Sequence, residues 1–177
     1  MSSDAPKPPP DFKSAIERAR TAFVHARAGD VPALTALLDA GVSPNLSNEK
    51  GDTLLMLACY HGHADAARML LDRGADPEQP NDNGQTPLAG VAFKGNLAIA
   101  ELLLERGAEV DGAGPDGRTP LMFAAMFDRL EMLELFLARG ASHSRQDAGG
   151  ATALQAARMM GAQRTAARLE ALAAGGT

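Results

Sequence analysis

The sequence predicts an all-α solenoid of stacked helix-turn-helix pairs joined by β-turn-like loops, and three observations carry that prediction. Glycines recur at a fixed interval: Gly41, Gly74, Gly107 and Gly140 are separated by 33 residues each, and Gly51, Gly84, Gly117 and Gly150 keep the same spacing. The punctuation repeats with them, since Thr53, Thr86, Thr119 and Thr152 each precede a Leu-containing, Ala-rich stretch and each unit closes on a variant of Leu-Leu-x-x-Gly-Ala. The composition agrees, because 45% of the residues are hydrophobic but only 4% aromatic, with no Trp and a single Tyr. A core built from Leu, Ala and Met asks for close-set helices rather than a β-sandwich.

The elements follow in chain order. Residues 1–11 hold Pro6, Pro8, Pro9 and Pro10 and read as a flexible, Pro-rich tail. The first unit, 12–46, opens with Phe12, Ile16, Ala19 and Phe23 at i, i+4, i+7 and i+11, one helical stripe interleaved with Lys13, Glu17, Arg18 and Arg20. It is expected to be an amphipathic N-terminal cap. Units 47–79, 80–112 and 113–145 repeat the core pattern. In each, Thr is the expected helix N-cap, and Pro87 and Pro120 stand at the first helical position, where a missing N–H costs nothing. Gly74, Gly107 and Gly140 sit where a helix must stop with positive φ. Gly62 and Gly95 interrupt the apolar pattern midway, so each unit should hold two helices of about ten residues. The second helices are apolar at Leu97, Ile99, Leu102, Leu103 and Leu104 and at Leu130, Met132, Leu133, Leu135, Phe136 and Leu137. Such faces need a neighbour on each side. In the last unit, 146–174, the matching stretch carries Gln163, Thr165, Arg168 and Glu170, expected on a solvated outer face that caps the array. Residues 175–177 should fray.

The pattern Gly-x-Thr-Pro-Leu, an Ala-rich turn, a Gly, a Leu-Leu pair and Gly-Ala at a 33-residue period resembles the ankyrin repeat, over residues 12 to 174. Two departures stand out. The position after Thr-Pro-Leu, often His in that family, is Met56, Ala89, Met122 and Gln155, so the hydrogen bonds such a His makes are absent. Asp128 stands where Gly62, Gly95 and Gly161 stand in other units, and Asp tolerates left-handed backbone less well than Gly.

The resemblance implies a noncatalytic module that binds a partner protein on its concave face. Carried over position by position, the contact residues closing the first helices are Arg27-Ala28, Tyr60-His61, Phe93-Lys94, Met126-Phe127 and Met159-Met160. Those at the turn tips are Glu49, Lys50 and Asp52, then Asp82, Asn83 and Gln85, then Pro115, Asp116 and Arg118. Tyr60, Phe93, Met126 and Met159 are spaced by 33 and should lie side by side as an apolar stripe, each either exposed at an interface or tucked between helices as core. The acidic tips suit either a solvated rim or the steering of a basic partner. A second reading is an inhibitor or immunity-type protein that covers the active site of one enzyme.

Charge and chemistry narrow the classes. A net charge of −5 is the wrong sign for neutralising phosphates, which argues against nucleic acid and anionic membrane as partners. The opening MSSDAPKPPPDFK lacks the basic start and apolar run of a Sec-type signal, and no uninterrupted apolar run reaches eighteen residues. Cys59 is the only cysteine and is expected to be a buried, inert thiol, so a cytoplasmic protein, monomeric by itself, is expected, with delivery into another cell left open. His61 and His63 are i, i+2, a spacing that in a helix points the rings apart, with no carboxylate or Cys at ligand spacing. Ser142, His143 and Ser144 are consecutive in a loop and do not make a triad, and Gly112-Ala113-Gly114 and Gly149-Gly150 lack the context of a phosphate loop. No catalytic residue, metal or cofactor is expected.

Overall fold

The computed structural model describes residues 12–175; the expected Pro-rich tail and the last two residues lie outside them. Among the described residues there are ten helices in chain order: α1 (Phe12–Ala28), α2 (Val31–Asp39), α3 (Leu54–Tyr60), α4 (Ala64–Asp72), α5 (Pro87–Lys94), α6 (Leu97–Glu105), α7 (Pro120–Met126), α8 (Leu130–Ala138), α9 (Ala153–Met160) and α10 (Gln163–Gly175). The inner helices run seven to nine residues, slightly shorter than the spacing suggested, while α1 has 17 and α10 has 13.

The local rules act where the residue types place them. Thr53, Thr86, Thr119 and Thr152 are all N-caps, their hydroxyls accepting from the backbone N–H of Met56, Ala89, Met122 and Gln155. Gly74, Gly107 and Gly140 have φ of +86°, +93° and +87°. The helices then form two layers. The first helices α1, α3, α5, α7 and α9 pack in one row and the second helices α2, α4, α6, α8 and α10 in another. Two buried columns run through the stack at the 33-residue interval. Ala26, Cys59, Ala92 and Ala125 keep the first helices close, and Leu70, Leu103, Phe136 and Leu169 fill the second row. At the next step of the small-residue column stands Arg158, exposed and paired with Glu170 at 2.7 Å.

Between the pairs, each loop is a tight turn that projects to one side. Asn48 Oδ1 accepts from the N–H of Lys50 and Asp52, Asn81 Oδ1 from Asn83 and Gln85, and Asp147 Oδ1 from Gly149 and Ala151. In the third turn this position is Gly114, where a Cβ would lie 2.1 Å from the Gly84 carbonyl oxygen, so only glycine fits. The turns are stitched together by the N–H of Asp82 donating to the Lys50 carbonyl (3.0 Å) and that of Ala148 to the Asp116 carbonyl (2.8 Å). A second ladder lies on the other side: Asn45, Glu78 and Asp111 accept from the backbone N–H of Asp76, Glu109 and Ser142, one repeat on. Ion pairs Asp39–Arg73, Asp72–Arg106, Glu131–Arg164 and Glu134–Arg168 join successive second helices on the exposed surface, where each contributes little.

Two expectations about the ends are corrected. The buried face of α1 is Ala22 and Ala26, whereas Ile16 is 40% exposed and Phe23 only half-buried, because the approach to α3 is close enough that methyl groups fill it. The side chain of Phe12 lies outside the described residues. In α10, Gln163 and Glu170 are exposed as expected, but Thr165 is fully buried and its hydroxyl donates to the Ala125 carbonyl at 2.7 Å. A Thr is tolerated there because its one polar atom is satisfied by the preceding repeat. Arg168 is half-buried and pairs with Glu134.

Candidate functional site

Tyr60, Lys94, Met126 and Met160 are the last residues of α3, α5, α7 and α9, and Phe127 is the C-cap of α7. A Thr cap at one end and a helix of seven or eight residues bring these side chains to the same height in each repeat. Tyr60 and Phe93 stack in parallel, with centroids 6.3 Å apart and an interplanar angle of 6°. The next ring in the row is Phe127, edge-on to Phe93 at 4.5 Å, one position beyond the Met126 that the 33-residue interval selects. Tyr60 is 40% exposed, Phe93, Met126 and Phe127 are half-buried, and Met159 at the far end is 82% exposed. The row therefore mixes accessible surface with packing.

Lys94 extends its ammonium 4.2 Å above the Tyr60 ring, in the geometry of a cation–π contact. His61 meets the Tyr60 ring edge-on at 5.6 Å. His61 and His63 lie nearly parallel, 17° apart with centroids at 6.5 Å, and so do not point apart. The spacing misleads because the Gly62 backbone is left-handed (φ +84°) and the segment leaves the helix between them. The ring Nε2 of His63 is 2.8 Å from the Arg27 carbonyl oxygen, a contact that passes over Gly29, where a Cβ would meet the ring at 2.5 Å. Loss of water around the ring, then the nearby His63, Arg27 and Lys94, lower the pKa of His61.

A groove of about 410 Å³ runs between the turn tips and the first helices, and it gathers Glu49, Lys50, Asp52 and Gln85 with Tyr60, His61 and Arg27. These expected contact residues, drawn from separate segments, share one surface. Asn48, Asn81, Met56 and Leu57 also line it and are not among the positions expected from the sequence, although Asn48 and Asn81 stand 33 residues apart. Several tip residues have structural duties as well. Asp52 accepts from the Asn81 side chain at 2.9 Å, and Arg118 lies between Asp116 and Asp147 at 3.7 and 3.8 Å. Asp82 and Asn83 are exposed beside them. A further groove of 490 Å³ opens between the ends of α3 and α5, lined by Tyr60, His61, Lys94, Asn96 and Leu97. Met159 borders a separate hollow with Gly149, Gly150, Gln155 and Arg158, away from the Tyr60 groove.

Little of this surface is equipped for bond chemistry. Cys59 is buried and the pKa of its thiol is pushed up to about 12 by burial, so it is held as the neutral thiol and not as a nucleophile. Glu78 is shifted upward by burial while accepting from the Glu109 N–H, a place in the backbone ladder. Among the described residues no three His, Cys, Asp or Glu side chains gather as metal ligands, and no helix is long and apolar enough to cross a membrane.

Comparison with known proteins fits this architecture. Residues 22–114 match the family described as ankyrin repeats in three copies, and residues 116–148 match a further ankyrin repeat. The chain belongs to the ankyrin repeat family. It is also 53% identical over 66 residues to a Pseudomonas aeruginosa protein that bears the name ankyrin repeat protein, a match covering 37% of this chain and 38% of that relative. The aligned stretch thus spans well under half of the relative. Ankyrin repeats generally mediate protein–protein interaction and ankyrin repeat proteins are typically noncatalytic, which accords with a surface built of grooves and rings.

Proposed function

We propose that this ankyrin repeat protein is a noncatalytic interaction module that takes a partner protein on its concave face, in the groove between the turn tips and the ends of the first helices. The observation that carries the reading is the Tyr60–Phe93 stack, an aromatic pair held in parallel across two repeats with Tyr60 left 40% open beside a 410 Å³ groove. Rigid, half-open aromatics are the residues from which interfaces draw most of their energy. The turn-tip residues Glu49, Lys50, Asp82, Asp116 and Arg118 form the polar rim of that face, Met126 extends it toward the last repeat, and the exposed Met159 adds a second apolar contact in its own hollow there. A single copy presents the whole face, and the buried thiol of Cys59 suits a reducing cytoplasm.

The test is affinity capture from the native cell extract with the wild-type chain and with Tyr60→Ala and Phe93→Ala. Each substitution should weaken binding of the captured partner by about 1–3 kcal/mol. Tyr60→Ala is the cleaner probe, since Phe93 also packs on Phe127 and its removal should cost folding stability too. A partner held equally well by the wild type and by folded Tyr60→Ala places the binding face elsewhere.

A further inference from the structure

We infer that the partner segment on this face is acidic, a carboxylate-bearing peptide stretch whose negative side chains seat between His61 and Lys94 at the ends of α3 and α5, with an apolar neighbour on the Tyr60–Phe93 rings. The inference rests on the proposed use of the concave face and adds the chemistry of what occupies it. Its basis is a local reversal of charge. The chain carries a net −5, yet the ends of three successive first helices present Arg27, the imidazole of His61 and Lys94, with His63 capping the start of α4. The 490 Å³ groove between α3 and α5 is lined by His61 and Lys94 with no carboxylate side chain among its walls.

The two permanent cations of the group are also free of carboxylate partners. Unlike Arg73, Arg106, Arg118, Arg158, Arg164 and Arg168, which each lie within 4 Å of a carboxylate, Arg27 and Lys94 form no ion pair among the described residues, a property they share with Lys50 at the turn tip. Lys94 instead rests on the Tyr60 ring, which holds its charge at the groove mouth. The mutual proximity of the group shows in His61, which loses water and feels His63, Arg27 and Lys94, all of which disfavour its protonation. A bound carboxylate relieves that repulsion. The acids on the opposite wall do not offer the same to a basic segment. Asp52 already accepts from Asn81, and Asp116 and Asp147 flank Arg118, which leaves Glu49 in the groove and the exposed Asp82 beside it as the open acids of that wall. Acidic tips and cationic helix ends therefore orient a segment with its carboxylates toward α3 and α5.

The experiment is an amide and imidazole NMR titration of the full chain with three peptides about twelve residues long, sharing the same Phe positions and carrying Glu, Ser or Lys between them. The Glu peptide should bind tightest and move the resonances of residues 60–62 and 93–97, and Arg27→Glu with Lys94→Glu should weaken it about tenfold or more and turn the preference to the Lys peptide. Both substituted positions are exposed, and the unchanged spectrum of the remaining repeats verifies folding. If the Ser or Lys peptide binds at Tyr60 and Phe93 as tightly as the Glu peptide, the acidic inference falls while the binding face stands. Shifts confined to other residues, or no shifts at millimolar peptide, overturn the inference. The binding face itself is judged separately by the capture experiment with Tyr60→Ala.

Discussion

Replacing Asp128 by Gly should destabilise the protein, although it removes the one non-glycine residue with positive φ among those described (φ +53°). Relief of left-handed strain at an Asp is worth about 1 kcal/mol, and most of it is offset by the extra freedom glycine brings to the unfolded chain, about 0.5–1 kcal/mol. Against this stands a bond that glycine cannot make. Asp128 Oδ1 accepts from the backbone N–H of Thr165 at 2.9 Å and also lies 3.2 Å from its hydroxyl. Thr165 is the third residue of α10, the position whose N–H is taken by Asp30 in α2 and by Asn96 in α6. The residue before α10 is Ala162, which has no acceptor to give, so the carboxylate of the preceding repeat serves as the cap. A charged hydrogen bond of this kind contributes about 1.5–3 kcal/mol, and partial solvation of Asp128 trims the expected net loss to about 1–2 kcal/mol. Asp128→Asn keeps the acceptor and the tolerance for positive φ and should stay within about 0.5 kcal/mol of the wild type. Urea unfolding followed by circular dichroism measures both variants, and hydrogen exchange at the Thr165 amide reports the cap directly. A glycine variant as stable as the wild type or more so, with Thr165 still protected, refutes the reasoning.

Three other outcomes are expected. The Cys59 thiol, buried and with its pKa pushed up to about 12, should resist a thiol-directed reagent at pH 8 in the folded protein and react at once in urea; labelling of the native chain at the rate of a free thiol contradicts its burial. His61, lowered by loss of water and by His63, Arg27 and Lys94, should titrate below the ordinary histidine range by NMR, and Lys94→Gln should move its midpoint back up. Because the folded pKa is the lower one, the unfolded chain takes up the proton first, so this group opposes folding as pH falls through the ordinary His value. An unshifted midpoint argues against the cationic cluster. A chain ending at Arg145 removes α9 and α10 and bares α7 and the side of α8, so it should bind a hydrophobic dye and melt earlier than the full chain; a soluble, equally stable truncation contradicts the capping role of the last pair.

Much of the fold is legible because its signals are local. A Thr hydroxyl finds an N–H three residues on, Pro87 and Pro120 fix a first helical φ, and Gly74, Gly107 and Gly140 adopt a conformation that a Cβ penalises, so helix starts and stops follow from a few neighbouring residues. The 33-residue interval then implies stacking, since a helix pair of this size cannot bury its apolar face alone. The side-by-side placement of Tyr60 and Phe93 was reachable by that route, and the turn tips through the resemblance to the family. What was not reachable depends on the offset between repeats. The edge-on contact of Phe127 with Phe93, whether the buried side of α1 is Phe23 or Ala22 and Ala26, and whether Thr165 faces solvent or the Ala125 carbonyl are set by the rotation and approach of neighbouring pairs.

The period, the helix boundaries and the family were thus determined by the sequence by itself, through steric and hydrogen-bonding preferences that reach only a few residues along the chain. The tertiary structure alone decided the contacts that span a whole repeat: the cap that Asp128 gives to α10, the backbone ladder of Asn45, Glu78 and Asp111, and the gathering of Arg27, His61, His63 and Lys94 at one edge. Their partners lie some thirty residues away, and a side chain can reach that neighbour only after packing has fixed the angle and distance between successive helix pairs.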